Sequence, residues 1–148
     1  MFAEANPVPE IWPWEAKEAG ARVVATGRSD FPNQVNNSLG FPAVFRGVLT
    51  VGARKMVDEM FMAAAYAIAK YTEETGIHEE RIIGTMEEAE LYVREALAVA
   101  EKAAELGLAR RKLSRSELEY EIREAIERPK RYLRLALSGG LLGELPKL

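Results

Sequence analysis

Two short apolar runs, Met1–Ala5 and Arg22–Ala25, are the strand candidates in the first 50 residues, and they limit any sheet to two strands. Asn6-Pro7-Val8-Pro9 closes the first run, because two prolines remove donors and restrict the residues before them. Pro13 can open a short helix through Ala19, since its fixed φ suits a first helical position, and Gly20 ends it. Val23 and Val24 give the second run the character of a short buried strand. Strand, loop, helix and strand in so few residues predict an α/β layer. In it Phe2–Ala5 and Arg22–Ala25 are parallel neighbours joined by the Pro13–Ala19 helix. Two short strands cannot sustain a parallel sheet alone, so the chain reads as one that begins inside an α/β domain.

The remainder is helical in pattern. Val57, Met60, Phe61, Ala64, Ala65 and Ile68 recur at three- and four-residue spacings, which predicts a helix over 51–72, capped by Thr50, whose alanine-rich face covers the sheet. Thr85 and Glu88 have the spacing of a capping box, and Ser114 and Glu117 repeat it. The first box opens a helix through Leu91, Ala98 and Leu106 that stops at Gly107. The second opens a long helix with acid-before-base pairs four apart, Glu119 to Arg123, Glu124 to Arg128 and Glu127 to Arg131. Pro129 is expected to kink or divide this helix, and the residues from Ser138 onward read as a loosely held tail.

The 20 basic and 23 acidic residues give a formal charge of −3, too balanced for a nucleic-acid surface. With no cysteine, disulfides and thiolate metal sites are excluded. No run is long and apolar enough for a membrane span, and the opening MFAEANPVPE carries two acids and no base, unlike a secretory start. A cytoplasmic protein is the resulting expectation.

Segment 25–42, ATGRSDFPNQVNNSLGFP, is dense in Gly, Asn, Pro and Ser, yet it carries Phe31, Val35, Leu39 and Phe41 as anchors. An anchored polar loop after a strand is where α/β folds bind ligands. Asn6 sits in the equivalent place after the first run, able either to contact a ligand or to organise its own turn. Arg28 can fork onto a carboxylate or phosphate, or pair with Asp30. Of the adjacent Asn36 and Asn37, one can fix the loop while the other meets a ligand; alternatively both satisfy backbone. Trp12 and Trp14 suit a core plug or an interface. His78, the single histidine, reads as a surface or helix-end residue, and Glu87, Glu88 and Glu90 as solvent-facing helix-initial acids rather than a metal set.

Taken in order, Asn6–Ile11, Gly20–Asp30, Pro32–Asn37, Gly40-Phe41-Pro42 and Phe45-Arg46-Gly47 resemble the cofactor-binding domain of malic enzymes, with the shorter prokaryotic and archaeal forms nearest. The likeness continues to Arg81-Ile82-Ile83 and, in archaeal style, over Glu87–Arg110. It implies an incomplete Rossmann-like three-layer α/β fragment: residues 1–110 as the C-terminal part of the NAD(P)-binding domain and 111–148 as a helical extension. The family converts malate to pyruvate and carbon dioxide with NAD or NADP and Mg2+ or Mn2+. By resemblance Asn6 and Asn37 bind substrate, and Asn6 and Asn36 face the cofactor. The family's glycine fingerprint, catalytic tyrosine and lysine, and acidic metal ligands normally lie upstream of the matching stretch and do not occur here. The chain is therefore expected to be inactive alone, and to work as a homo-oligomer or with a complementary N-terminal chain. The alternative is a non-catalytic oligomerisation or binding module derived from the same fold.

Overall fold

A computed structural model describes residues 1–143. Strand β1 is Phe2–Ala3, helix α1 is Pro13–Glu18 and strand β2 is Ala25–Thr26. The two strands are parallel neighbours, with Phe2 beside Ala25 and Ala3 beside Thr26, and α1 forms the connection between them. Pro13 is the first residue of α1, and the Glu15 carboxylate accepts from the Trp12 amide at 3.0 Å. The second strand lies later than the Arg22–Ala25 expectation, because pairing is set by where β1 runs out. The Met1 ammonium donates to the Val23 carbonyl at 2.6 Å and the Ala25 amide to Met1 at 2.9 Å, before the chain turns at Asn6-Pro7. The loop after β2 folds back alongside it, the Val35 amide donating to the Thr26 carbonyl at 2.7 Å.

Helix α2, Phe41–Val51, starts at the end of the polar segment 25–42, one residue after a single 3-10 turn, Asn37–Leu39. Pro42 is tolerated there because the first turn leaves its amides unpaired. Thr50 is consequently not a cap. It lies in the last turn of α2 and donates to the Arg46 carbonyl at 2.8 Å. Gly52, at φ 57° and ψ 47°, adopts the left-handed conformation that ends α2, so the expected 51–72 helix does not exist as one element. Helix α3 runs over Asp58–Thr75 with Asp58 and Glu59 in its first turn, where carboxylates favour the helix dipole. Its apolar face packs on α4, Ala89–Glu105, and not on the sheet.

Helix α4 is the centre of the molecule. Its buried Val93, Ala96, Val99, Ala100 and Ala103 meet Ala43, Val44 and Val51 of α2, Met60 and Ala64 of α3, and Leu118 and Ile122 of α5, Arg115–Ser138. Gly47 allows α2 its close approach: a Cβ there would stand 2.4 Å from the Ala96 carbonyl oxygen. A smaller core of Leu39, Tyr71 and Leu91 ties the 3-10 turn to α3 and α4. Among the loop anchors, Leu39 is therefore fully interior, whereas Phe41 is 42% exposed.

The Ser114–Glu117 capping box forms as expected. The Thr85–Glu88 pair forms only half of one: the Glu88 carboxylate accepts from the Thr85 amide at 2.7 Å, but α4 begins at Ala89, after this turn. Helix α5 runs as one element across Pro129. On its exposed surface Arg123 meets Glu119 and Arg128 approaches Glu124, but Arg131 reaches Glu124 and Glu127 pairs with Lys130. The helix ends at Ser138, and residues 144–148 of the expected tail lie outside the described residues. No helix among the described residues is long and apolar enough to cross a membrane.

Candidate functional site

The loops leaving the carboxyl ends of β1 and β2 converge on one cleft of about 370 Å³, lined by Asn6 and Pro7, by Gly27 through Asp30, and by Gln34 and Asn36. Gly27 makes the convergence possible, since a Cβ there would lie 3.0 Å from the Glu4 carbonyl oxygen. Arg28 resolves its two open readings in favour of Asp30. Its guanidinium forks onto both Asp30 oxygens at 2.8 Å and donates to the Pro7 carbonyl at 2.6 Å, stitching the first loop to the second. The hydrogen bonds from Arg28 hold Asp30 below the usual carboxylate range, and Asp30 in turn raises Arg28.

Beneath the guanidinium lie three rings. Trp12 and Trp14 stack at 5.0 Å between centroids, Phe31 meets them edge-on at 6.2 and 6.1 Å, and Arg28 stands 5.6 Å from the Trp12 ring. Trp14 stays 52% exposed, so this cluster is a brace for the loops and not a core plug.

The asparagine pair divides its labour. Asn36 donates to the Gly27 carbonyl at 2.8 Å and accepts from the Ser38 amide at 3.0 Å, which fixes the loop to β2 and caps the 3-10 turn. Asn37, the first residue of that turn, is exposed, and its side-chain amide takes no partner among the described residues. Asn6 is likewise exposed at the lip of the cleft. The structure thus brings Asn6 and Asn36 to one cleft and places Asn37 beside it, outside the lining.

Asn33, to which sequence reasoning assigned no role, supports this arrangement. It is buried at φ 57°, donates to the carbonyls of Val24 and Glu79 at 3.0 and 2.7 Å, and accepts from the Ile82 amide at 2.8 Å. Its place between Pro32 and Gln34 was the available signal, since asparagine tolerates the left-handed region.

Away from the cleft, Glu88 is not the solvent-facing acid that its position suggested. Arg81 grips both of its oxygens at 2.8 Å and Tyr71 donates to it at 2.8 Å, so the Arg81 hydrogen bonds lower its pKa to about 2. Glu95 is the opposite case. It is fully buried with no partner for either oxygen, and burial pushes its pKa up to about 9. Its spacing of four from both Leu91 and Val99 put it on the apolar stripe of α4, which is the signal that could have revealed it. His78 is exposed, its Nδ1 accepting from the Glu80 amide. No group of three or more histidine or carboxylate side chains gathers to hold a metal among the described residues.

The malic enzyme NAD binding domain is the family description that matches this chain, over residues 20–104. A bifunctional malic/malolactic enzyme of Bacillus subtilis (strain 168) is 50% identical over 110 residues, covering 74% of this chain and 27% of that protein. The crystal structure of Entamoeba histolytica malic enzyme superposes with a TM-score of 0.92 at 45% identity, covering 98% of this chain and 30% of its own. That of malic enzyme from Pyrococcus horikoshii Ot3 gives 0.80 at 53% identity, covering 88% and 30%. The two-stranded parallel sheet and its helices are therefore a partial Rossmann-like fragment of a larger fold, and this chain spans 27% of the Bacillus relative's length.

Proposed function

Because this chain belongs to the malic enzyme family, we propose that it supplies one wall of a pocket in which malate is oxidised and decarboxylated to pyruvate and carbon dioxide with NAD or NADP. The observation that carries this reading is the convergence of both strand-end loops on one cleft edged by neutral amides, with the Asn37 amide free beside it. Asn6 and Asn37 hold the substrate, and Asn6 and Asn36 face the nicotinamide. A neutral amide orients a carboxylate without adding full charge at a centre where charge develops during reaction. Asn36 already commits one N–H to Gly27, so its second N–H is the one it offers. Asn6 and Asn36 would face the dinucleotide, which would supply the hydride acceptor, and the loops would set the angle of approach.

The Mg2+ or Mn2+ of the family does not fit this chain's own residues, because no suitable acidic or histidine group assembles among those described. The acid–base groups and the rest of the pocket come from the complementary part of the family fold, in the cytoplasm, and the assembly is further built as a homo-oligomer. Residues 1–110 form the domain portion, and α5 belongs to the extension that follows it. A second reading, a binding or oligomerisation module without catalysis, draws on Tyr132 and Leu135 of α5, which are 63% and 66% exposed.

The test co-expresses the full chain with the Bacillus subtilis relative from which the matching 110 residues are deleted. Malate oxidation is followed by the absorbance of the reduced cofactor with Mn2+ present. Turnover is expected in the complex and in neither chain alone. Asn37→Ala should lower kcat/KM by about 10²–10³-fold with assembly intact, the usual loss on removing one preorganised donor. A complex that forms without turnover, or an Asn37→Ala complex with unchanged kcat/KM, would overturn this reading.

A further inference from the structure

Helices α2 and α3 present an uncovered aromatic face directly above a buried acid. Phe41, Phe45 and Phe61 are 42%, 49% and 37% exposed, and the Phe41 ring lies 5.7 Å from Phe45 and 6.4 Å from Phe61. Between Phe41 and Phe61 opens a pocket of about 180 Å³ whose other walls include Val44, Ala64 and Ile68 and which reaches Glu95. Gly40 lies over the carboxyl on that side without a side chain, and a Cβ there would touch Glu95 Oε1 at 3.7 Å. The polar neighbour does not serve it. Tyr92, the nearby hydroxyl, donates instead to the Ser38 carbonyl at 3.0 Å.

An unpartnered carboxyl under an aromatic rim destabilises an isolated fold and suits one completed by a second surface. The Entamoeba structure, matched over 98% of this chain, contains this fragment as 30% of its length, so most of that fold lies outside this chain. We propose that the portion of the malic enzyme fold absent from this chain docks on the Phe41–Phe45–Phe61 face, widens the pocket between Phe41 and Phe61, and sets a neutral hydrogen-bonding group, an amide or hydroxyl, against Glu95. This rests on the reading of the chain as one part of a malic enzyme. Apolar walls surround the carboxyl, which favours its neutral form and a neutral partner over a cationic one.

The experiment uses the same co-expressed pair, read by sedimentation and amide hydrogen exchange and not by turnover. A one-to-one complex is expected, with new protection over residues 40–45 and 61–68. Phe61→Glu should weaken assembly by about 100-fold, as for a charge placed in the centre of an apolar interface. Glu95→Gln should assemble within about threefold of the unaltered chain, while Glu95→Leu weakens assembly by about tenfold or more. Circular dichroism establishes that each variant is folded before assembly is scored. Phe61→Glu assembling normally, Glu95→Gln losing assembly, a dimer of this chain occupying the face, or a complex that leaves the face unprotected would each overturn the proposal. A protected complex without malate turnover would defeat the catalytic reading alone.

Discussion

Glu95→Gln is expected to stabilise the isolated chain, by an amount that grows with pH. The folded carboxyl titrates at about 9 because burial disfavours its charge, against an ordinary value of 4.5. Between these values the folded chain holds a proton that the unfolded chain has lost, so stability falls as pH rises, by about 1.4 kcal/mol per pH unit. The penalty is absent below 4.5, accumulates to about 3 kcal/mol at pH 7 and is complete near 9. Glutamine is neutral in both states and removes the pH-dependent part, while its amide retains the burial cost of a neutral polar group. The variant should therefore match the parent chain near pH 5 to within about 1 kcal/mol and exceed it by about 3 kcal/mol at pH 7. Urea unfolding followed by circular dichroism across this range, with linear extrapolation, measures the difference. Stability profiles that stay parallel from about pH 5 to pH 8 would refute the reasoning, because they would mean that water or a protein donor already reaches the Glu95 carboxyl.

Gly47→Ala should destabilise the chain by about 2–3 kcal/mol in the same urea assay, overpacking outweighing a helix-propensity gain of about 1 kcal/mol. The new Cβ would meet the Ala96 carbonyl oxygen at 2.4 Å and Val99 Cβ at 2.9 Å, and the backbone oxygen cannot rotate away. Glu88, held at about 2 by Arg81, contributes about 3 kcal/mol that is present above its unfolded value of 4.5 and lost as pH falls toward 2. Arg81→Met should accordingly raise the Glu88 pKa, read by carboxyl NMR titration, and move acid unfolding to higher pH. Asn33→Ala should cost about 2–4 kcal/mol, since it strands the buried Val24 carbonyl and the half-buried Glu79 carbonyl and Ile82 amide, and hydrogen exchange at Ile82 should accelerate.

Local chemistry was enough wherever a structure depends on residues a few positions apart. Ser114 and Glu117 cap α5 by contacts three residues away, and Pro13 opens α1. The parallel pairing of the two short apolar runs is not local, and it was legible from the strand–helix–strand order. The resemblance of the ordered loop motifs led to the family, while the two readings of the Asn36–Asn37 pair stayed open until the fold showed Asn36 fixing the loop and Asn37 exposed. Only the tertiary structure decided where elements end and which acids are exposed. Thr50 could cap a following helix or finish a preceding one, and the left-handed turn at Gly52 together with the packing of α2 on α4 selects the second. Glu88, just before α4, and Glu95, within it, differ in fate for the same reason. Arg81 and Tyr71, 7 and 17 residues away, reach Glu88 and hold it ionised. Glu95 is instead covered by α2 and α3 with no donor at hand. A carboxyl's charge follows from solvation and partners, and both are set by segments that meet only when the chain is folded.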